Sequence, residues 1–276
     1  ELPLPCGGDG DLMISWIIRD IQNKALKRLG RKMRPPILPP WPGLSSGKLG
    51  IRPQRLNFLS GRLGGSVRYL EIGTSFGTTL GAVRAAEKTG VDPVPLMDMR
   101  HLPRGTEVIV AESDSFFASC DDVYDLIFVD GLHTGEQTYR DIVAAFNVLD
   151  TPGYVLVDDV LPTDEASALP SYAESNARKR DLDIGHKRWY GDTWKAVAAV
   201  LRFHDEIEVC VVGDEDAVHG QAVMWRSSAS KSVQVEAPEA AGYMKKLTFD
   251  DFLHRTARLG WPKEADTIEA ALIRSE

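Results

Sequence analysis

Residues 67–79, V-R-Y-L-E-I-G-T-S-F-G-T-T, place an acidic residue and two glycines where a strand turns into a helix. The β-branched, aromatic and aliphatic residues at the start of this stretch predict a short strand over 68–72, and T-T-L-G-A-V-R-A-A predicts a helix that runs to about residue 87. Gly73 and Gly77 remove side-chain bulk from the turn, so a ligand can approach the backbone there. The stretch therefore predicts a nucleotide-type cofactor pocket.

The glycine spacing separates two kinds of cofactor loop. A dinucleotide fingerprint requires G-x-G-x-x-G, whereas here Ser75 stands between Gly73 and Gly77, which disfavours an NAD-dependent oxidoreductase. The arrangement E-x-G-x-x-x-G, which begins at Glu71, resembles the first motif of class I S-adenosylmethionine (SAM) methyltransferases. In that family the acidic residue and the glycine loop hold the amino-acid end of the cofactor, which implies the same role for Glu71 and for the loop residues Gly73, Thr74, Ser75 and Gly77.

Composition limits the class of protein and its partners. The 276 residues include 43% hydrophobic residues and can bury a sizeable core, so we expect a single catalytic domain with appendages. A net charge of -8 argues against nucleic acid as a partner, because phosphate binding requires a clustered cationic surface. Three scattered cysteines, no 18-residue apolar run and no signal segment predict a cytoplasmic protein without membrane contact.

Strand and helix patterns alternate from residue 67 onward. Strands are predicted over 107–110, 124–129 and 154–157, helices over 134–149 and 193–203, and a closing hairpin of strands over 207–212 and 221–225. Repeated β-α units predict a doubly wound, mostly parallel sheet of seven strands, an α/β Rossmann-like fold with ligands at the carboxyl ends of the strands. A final antiparallel strand is similar to the class I methyltransferase fold.

The chain outside this core predicts two appendages. Residues 1–60 contain an amphipathic helical pattern over 11–33 and a proline-rich stretch over 35–42, and they predict a lid over the pocket, a homodimer contact, or a helix packed on the sheet edge. Residues 61–226 form the predicted catalytic domain. Residues 227–276 predict a mobile linker over 227–240 and a helical tail, with helices around 249–259 and 266–273.

Acidic and polar residues follow the predicted strands in order. Asp92, about 20 residues after the glycine loop, stands at the end of the second strand, which is poorly formed because the preceding residues favour a helix. It either binds the ribose hydroxyls of a cofactor or belongs to an Asp-Pro turn. Ser113 and Asp114 either face the adenine or cap a helix. Further along, Asp130 and His133 follow the fourth strand, and Asp158 and Asp159 follow the fifth.

These downstream motifs strengthen the resemblance over residues 66–226. F-V-D-G-L-H-T-x-E-Q, P-G-Y-V-L-V-D-D-V-L-P and W-Y-G-D-T-W-K-A-V are similar to bacterial O-methyltransferases of small molecules and sugars, the macrocin-type and cephamycin-type relatives of natural product biosynthesis. The resemblance implies methyl transfer to a hydroxyl of a small polyhydroxylated acceptor. It places around SAM the residues Glu71, Gly73, Gly77, Asp92, Ser113, Asp114 and Asp130, with Asp130 and His133 facing the acceptor.

Related metal-dependent methyltransferases carry one Asp after the fourth strand and an acidic pair after the fifth. The resemblance thus implies an Mg²⁺ site of Asp130, Asp158 and Asp159, since three carboxylates suit a hard cation. The alternative is that Asp158 caps the next segment and Asp159 pairs with a basic side chain.

His133 is the predicted general base, with Asp130 beside it, because imidazole titrates near neutral pH and can accept a hydroxyl proton. The polar stretch 163–192 is predicted to shape specificity, with Trp189 and Tyr190 stacking on the acceptor or packing in the core. Two alternatives to a metal-assisted enzyme stay open at this point. One is a metal-independent methyltransferase that uses His133, and the other is a non-catalytic SAM-binding protein whose appendages bind a partner.

Overall fold

The computed structural model describes residues 50–213, 220–227 and 234–273. The predicted helix over 11–33 and the proline-rich stretch over 35–42 lie outside the described residues, as does most of the predicted N-terminal appendage. The description therefore begins at a helix, α1, Ile51–Leu63, which crosses the predicted domain boundary at residue 60.

A seven-stranded sheet forms the centre of the structure, and its order is β3-β2-β1-β4-β5-β7-β6. The first five strands are parallel, and β7 runs antiparallel to both β5 and β6. This confirms the predicted doubly wound, mostly parallel sheet with an antiparallel closing strand. In chain order, β1 to β7 are Arg68–Ile72, Glu87–Val91, Thr106–Ile109, Tyr124–Val129, Leu149–Val157, Ile207–Val212 and Gln221–Arg226.

Helices cover both faces of this sheet and give two apolar cores. One core contains Phe146 of α4 and Val197 of α6, and the other contains Leu56 and Leu59 of α1, all buried against the strands. Between β1 and the final tail the helices α2 to α6 are Thr78–Ala82, Ser113–Phe117, Gly135–Val148, Tyr172–Asp181 and Trp194–Phe203.

The prediction was wrong for residues 83–91, which follow α2. The predicted helix to about residue 87 ends at Ala82, and Glu87–Val91 is a strand in register with β1. Val83 already has extended dihedral angles, and the amide of Ala86 donates to the carbonyl of Val67 at 2.9 Å. Pairing with β1 and β3 therefore overrides the helical preference of the A-A-E-K sequence, because strand propensity depends strongly on tertiary context.

The C-terminal residues pack on the domain. Helices α7 to α10 are Ala240–Lys246, Phe249–Leu253, Arg255–Arg258 and Ile268–Ile273, and between them Trp261 is 2% exposed. Ala265 forms a parallel bridge with Val212 of β6. Residues 234–237, part of the predicted mobile linker, are bonded to α4, since the amide of Gln234 donates to Asn147 Oδ1 and that of Ala237 donates to the Tyr139 hydroxyl. The linker prediction is therefore corrected for these residues.

Among the residues that the structure describes, no helix has both the length and the apolar character that a membrane crossing requires.

The backbone that follows β1 passes very close to the backbone that follows β4. Gly73 has φ +87°, and a Cβ atom there would lie 1.9 Å from the carbonyl oxygen of Asp130. We expect Gly73→Ala to lower the free energy of unfolding by at least about 2 kcal/mol more than Gly65→Ala does. Gly65 is the matched control, because its φ is +69° and a Cβ atom there would meet nothing within 4 Å.

The measurement is equilibrium urea denaturation followed by tryptophan fluorescence. Gly65→Ala should cost only the strain of a left-handed alanine, about 1 kcal/mol. Equal losses in the two variants would contradict the steric role of the close approach.

Candidate active site

The glycine loop lies at the carboxyl end of β1, between the ends of β2 and β4. The amide of Gly73 donates to the carbonyl of Val91 at 2.8 Å, and the amide of Asp130 donates to the carbonyl of Ile72 at 2.9 Å. Gly77, with φ +70°, begins α2. The loop is therefore fixed to both neighbouring strands, at the edge where parallel sheets bind ligands.

Glu71 points into the protein under this loop and is 1% exposed. The hydroxyl of Tyr69 donates to its carboxylate at 2.6 Å. Burial raises the pKa of Glu71 to about 8, against the effects of the Tyr69 hydrogen bond and of the positive charge on Lys88. At neutral pH the Glu71 carboxyl group therefore carries a proton in much of the population, and its side chain is hydrogen-bonded to Tyr69 of the same strand.

Asp92 follows β2 and is 3% exposed. One carboxylate oxygen accepts from the amide of Ser75 at 2.8 Å, and the other accepts from the amide of Val94 at 2.8 Å. The carboxylate thus connects the end of β2 with the glycine loop. Ser75 has φ +45° in this contact, a conformation uncommon for a residue with a side chain.

Ser113 and Asp114 begin α3, and their side chains contact α4. Gln137 Nε2 lies 3.2 Å from Ser113 Oγ and 2.9 Å from Asp114 Oδ1, and Arg140 forms an ion pair with Asp114 at 3.2 Å. The N-cap position belongs to Glu112, so neither residue has the capping position itself. These bonds hold α3 against α4.

Asp130, His133 and Asp159 meet at the carboxyl ends of β4 and β5. His133 Nε2 lies 3.0 Å from Asp130 Oδ1, and His133 Nδ1 lies 3.4 Å from Asp159 Oδ2. Each of the three residues offers one atom that could ligate a metal ion, an imidazole nitrogen or a carboxylate oxygen, and these three atoms lie within 4.8 Å of one another. The imidazole ring therefore lies between two carboxylates.

Two of these residues have left-handed backbone, with φ +61° at His133 and φ +58° at Asp159. The two residues that precede α6 donate hydrogen bonds to the backbone carbonyls of both. The amide of Asp192 donates to the carbonyl of His133 at 3.2 Å, and the Thr193 hydroxyl donates to the carbonyl of Asp159. Gly191 makes this approach possible, because a Cβ atom there would lie 1.8 Å from the His133 carbonyl oxygen.

The predicted metal set of Asp130, Asp158 and Asp159 differs from the set that the structure brings together. Arg52 Nε donates to one carboxylate oxygen of Asp158, and Gln221 Nε2 donates to the other at 3.0 Å. Asp158 is 2% exposed. Its two oxygens are directed toward α1 and β7, whereas His133 takes the third place beside Asp130 and Asp159.

Arg52, Arg55 and Gln221 were not among the residues predicted from the sequence to form the site. Arg55 is 4% exposed and its Nη1 donates to Gln221 Oε1 at 2.9 Å, so the chain Arg55, Gln221, Asp158 is continuous. The sequence feature that could have indicated the two arginines is their spacing: they lie three positions apart and next to Leu56 and Leu59, so cations and apolar residues share one helix face.

The carboxylates around His133 control its protonation. Burial alone would lower the pKa of the imidazole, but the hydrogen bond with Asp130 and the charges of Asp159, Asp130 and Asp158 together raise that pKa to about 9. Burial and the neighbouring charge of Asp158 raise the pKa of Asp159, and the positive charges of His133 and Arg52 oppose that rise. Without a further ligand, His133 is therefore an imidazolium at neutral pH, whereas a general base requires the neutral ring.

The stretch between β5 and α6 covers His133 with aromatic residues. Trp189 stacks on the imidazole with ring centroids 5.0 Å apart and an interplanar angle of 26°, and its Nε1 donates to the carbonyl of Leu169 at 2.7 Å. Tyr172 of α5 packs edge-on against Trp189. Tyr190 is 3% exposed and so belongs to the core, the second of the two roles predicted for it.

A separate cleft of about 350 Å³ lies at the opposite, amino end of the strands, with Arg68, Lys88 and Tyr124 in its walls. We place the candidate site at the carboxyl ends of the strands, because the buried acidic residues, the glycine loop and the residues with positive φ angles all lie there. This edge has room for a nucleoside cofactor over β1 and β2, beside an acidic cluster whose ligand atoms could hold a cation or take up a proton.

Residues 70–160 match the family described as "Methyltransferase domain". No curated protein matches the chain. Similar solved structures include a putative O-methyltransferase from Klebsiella pneumoniae, with 14% identity and a TM-score of 0.45 over 76% of this chain and 97% of that one. The O-methyltransferase TomG from Streptomyces achromogenes, solved with SAM, has 14% identity and a TM-score of 0.42 over 82% and 93%.

An O-methyltransferase from Bacillus cereus in complex with SAH has 12% identity and a TM-score of 0.44 over 80% of this chain and 92% of that one. The family match and the sheet order both agree with the sequence-based prediction. Residues 70–160 therefore match a methyltransferase domain, and the sheet has the strand arrangement that was predicted from the resemblance to the class I methyltransferase fold.

Proposed function

We propose that the protein is a SAM-dependent O-methyltransferase that acts on a hydroxyl of a small polyhydroxylated metabolite or sugar. The observation that carries this proposal is the meeting of Asp130, His133 and Asp159 within 4.8 Å, directly beside the glycine loop. Gly73 approaches the carbonyl of Asp130, so a methyl donor over the loop and an acceptor at the acidic cluster would be neighbours.

The donor half of the proposal rests on the loop and on Asp92. The loop would hold the amino-acid end of SAM through Gly73, Thr74, Ser75 and Gly77, whose backbone a ligand can approach. Asp92 would accept hydrogen bonds from the ribose hydroxyls, since a carboxylate oxygen has more than one acceptor site. Ser113 and Asp114 would lie near the adenine, although their bonds to α4 support a structural role equally well.

The acceptor half of the proposal includes a divalent cation. The residues fit one, because His133 Nδ1 is buried without a hydrogen-bond partner and faces Asp159, while Asp130 completes a set of two oxygens and one nitrogen. Imidazole is a better ligand for Mn²⁺ or Zn²⁺ than for Mg²⁺, which prefers oxygen. A bound cation would supply a Lewis acid that lowers the pKa of the acceptor hydroxyl.

Catalysis by this chain would consist mainly of positioning and proton removal. The acceptor oxygen attacks the methyl carbon of SAM, the carbon–sulfur bond breaks, and the electron pair leaves with sulfur to give the neutral thioether. In this cation-assisted reaction His133 would be a ligand of the cation, so the hydroxyl proton would pass to the carboxylate of Asp130. Trp189, stacked on His133, would form a flat wall of the acceptor site and exclude water from it.

A metal-independent reaction is the alternative, with neutral His133 as the base and Asp130 orienting its ring. The short distance from His133 Nε2 to Asp130 supports this dyad, but the raised pKa of His133 opposes it near neutral pH. A non-catalytic SAM-binding protein is a further alternative. It would bind the cofactor and show no methyl transfer to any hydroxyl acceptor.

We expect calorimetric titration to show binding of S-adenosylhomocysteine but not of NADH. Asp92→Ala should weaken that binding about tenfold or more, because it removes an acceptor for the ribose and the bond to the Ser75 amide. Glu107→Ala is the control, since it removes an exposed carboxylate from the adjacent strand β3. Binding of NADH, or an unchanged affinity in Asp92→Ala, would contradict the proposed cofactor site.

We expect a chelator to abolish methyl transfer and Mn²⁺ or Mg²⁺ to restore it. In Asp159→Asn the cation concentration for half-maximal rate should rise about tenfold or more, because one anionic ligand is lost. Asp183→Asn is a matched control, because Asp183 is exposed and also has a positive φ, of +54°. Full activity in the presence of the chelator would exclude the cation and favour the metal-independent reaction.

The pH dependence of the rate tests the His133 base. If the ring accepts the proton without a cation, the chelated enzyme should gain activity as pH rises toward about 9, where the imidazolium loses its proton, and should level off above that value. His133→Gln should remove this rise. A rate that stays flat between neutral pH and about 9 would be inconsistent with His133 as the base.

A further inference from the structure

Arg52 lies in the first turn of α1 and reaches into the acidic cluster. Its Nε donates to Asp158, and its Nη2 lies 3.6 Å from Asp159 Oδ1. The side chain of Asp158 is 1% exposed and that of Asp159 is 7% exposed. One guanidinium thus contacts two adjacent buried carboxylates, and one of these, Asp159, is a ligand in the proposed cation site.

The guanidinium occupies the side of Asp159 that His133 leaves open. Asp159 Oδ2 faces His133 Nδ1 at 3.4 Å, whereas Oδ1 faces Arg52. Two cations near one carboxylate repel each other and share its charge, and this repulsion is strong where water is largely excluded. A divalent cation at Asp159 therefore has to bind against the charge of Arg52.

The partners of Asp158 allow Arg52 to leave. Asp158 keeps the hydrogen bond from Gln221 at 3.0 Å, and Gln221 is held in turn by Arg55 at 2.9 Å. Asp158 therefore does not lose every partner when Arg52 moves. The side chain of Arg52 is 32% exposed and so has a path to solvent, whereas Arg55 is buried on the same helix.

From this geometry we infer that Arg52 is a positioning residue that competes with a divalent cation for Asp159 and so limits the cation affinity of the site. The inference rests on the proposed function, of which it specifies the cation site. In the apo protein Arg52 offsets part of the negative charge of the carboxylate pair, and cation binding displaces its Nη2 group from Asp159. The affinity of the site then depends on α1, a helix outside the strand ends that carry the ligands.

The test is titration of the full chain with Mn²⁺, followed by the electron paramagnetic resonance signal of the free ion. Arg52→Gln should bind Mn²⁺ about tenfold more tightly than the unaltered protein, because one competing charge is gone. Arg52→Lys keeps the charge but cannot reach both carboxylates with a planar fork, so its affinity should lie between the two. Arg62→Gln, an exposed arginine in the last turn of the same helix, is the matched control and should change nothing.

Added guanidinium ion gives a second readout. At millimolar concentrations, well below those that denature proteins, it should weaken Mn²⁺ binding in Arg52→Gln and leave binding by the unaltered protein unchanged. A purely structural role for Arg52 would not produce this difference. If Arg52→Gln does not fold, the comparison of Arg52→Lys with the unaltered protein decides the question: tighter Mn²⁺ binding by Arg52→Lys supports the inference and equal binding overturns it.

The outcomes separate this inference from the proposed function. Equal Mn²⁺ affinity in the unaltered protein and in Arg52→Gln, with Asp159→Asn weakening both, would overturn the inference and leave the cation site standing. Mn²⁺ binding that is insensitive to Asp159→Asn, or absent from all variants that still bind S-adenosylhomocysteine, would overturn both the inference and the cation site. Loss of S-adenosylhomocysteine binding by the unaltered protein would instead remove the proposed methyltransferase function.

Discussion

The burial of several carboxylates at one edge of the sheet is the constraint on which the site depends. Asp92, Asp158 and Asp159 are each 5% exposed or less, and an unpaired ionised carboxylate is costly away from water. Each is compensated in a different way: Asp92 by backbone amides, Asp158 by Arg52 and Gln221, and Asp159 by His133 and Arg52. The surrounding segments are held in place by these partners.

This compensation connects parts of the chain that are distant in sequence. Arg52 lies 106 positions before Asp158, and Gln221 lies 63 positions after it. One side chain of helix α1 and one of strand β7 therefore both donate hydrogen bonds to the Asp158 carboxylate, which follows β5. A residue of the site can change the packing of α1 without touching its apolar face, since α1 is bound to the domain by charge as well as by Leu56 and Leu59.

Local patterns predicted much of the fold but only part of the site. The apolar runs that become β4 and β6 were predicted with the same bounds, because each is a buried strand with little competing helical character. β2 was expected before Asp92 but without bounds and with a helix running to about residue 87, since Glu87–Val91 is a strand only through its pairing with β1 and β3. Asp130 was predicted beside His133 and in one metal set with Asp159. The exchange of Asp158 for His133 in that set was out of reach, because it requires the positive φ angles at His133 and Asp159 and the close contact of Gly191.

The parallel bridge between Ala265 and Val212 has a consequence for the edge of the sheet. β6 is an outer strand, and an exposed outer strand offers unpaired amides and carbonyls to other chains. The amide of Ala265 donates to the carbonyl of Val211, and the amide of Gly213 donates to the carbonyl of Ala265, so the tail occupies part of that edge. Trp261, buried nearby in sequence, anchors the tail there. The C-terminal segment thus protects the sheet from strand-to-strand aggregation, a contribution to solubility rather than to chemistry.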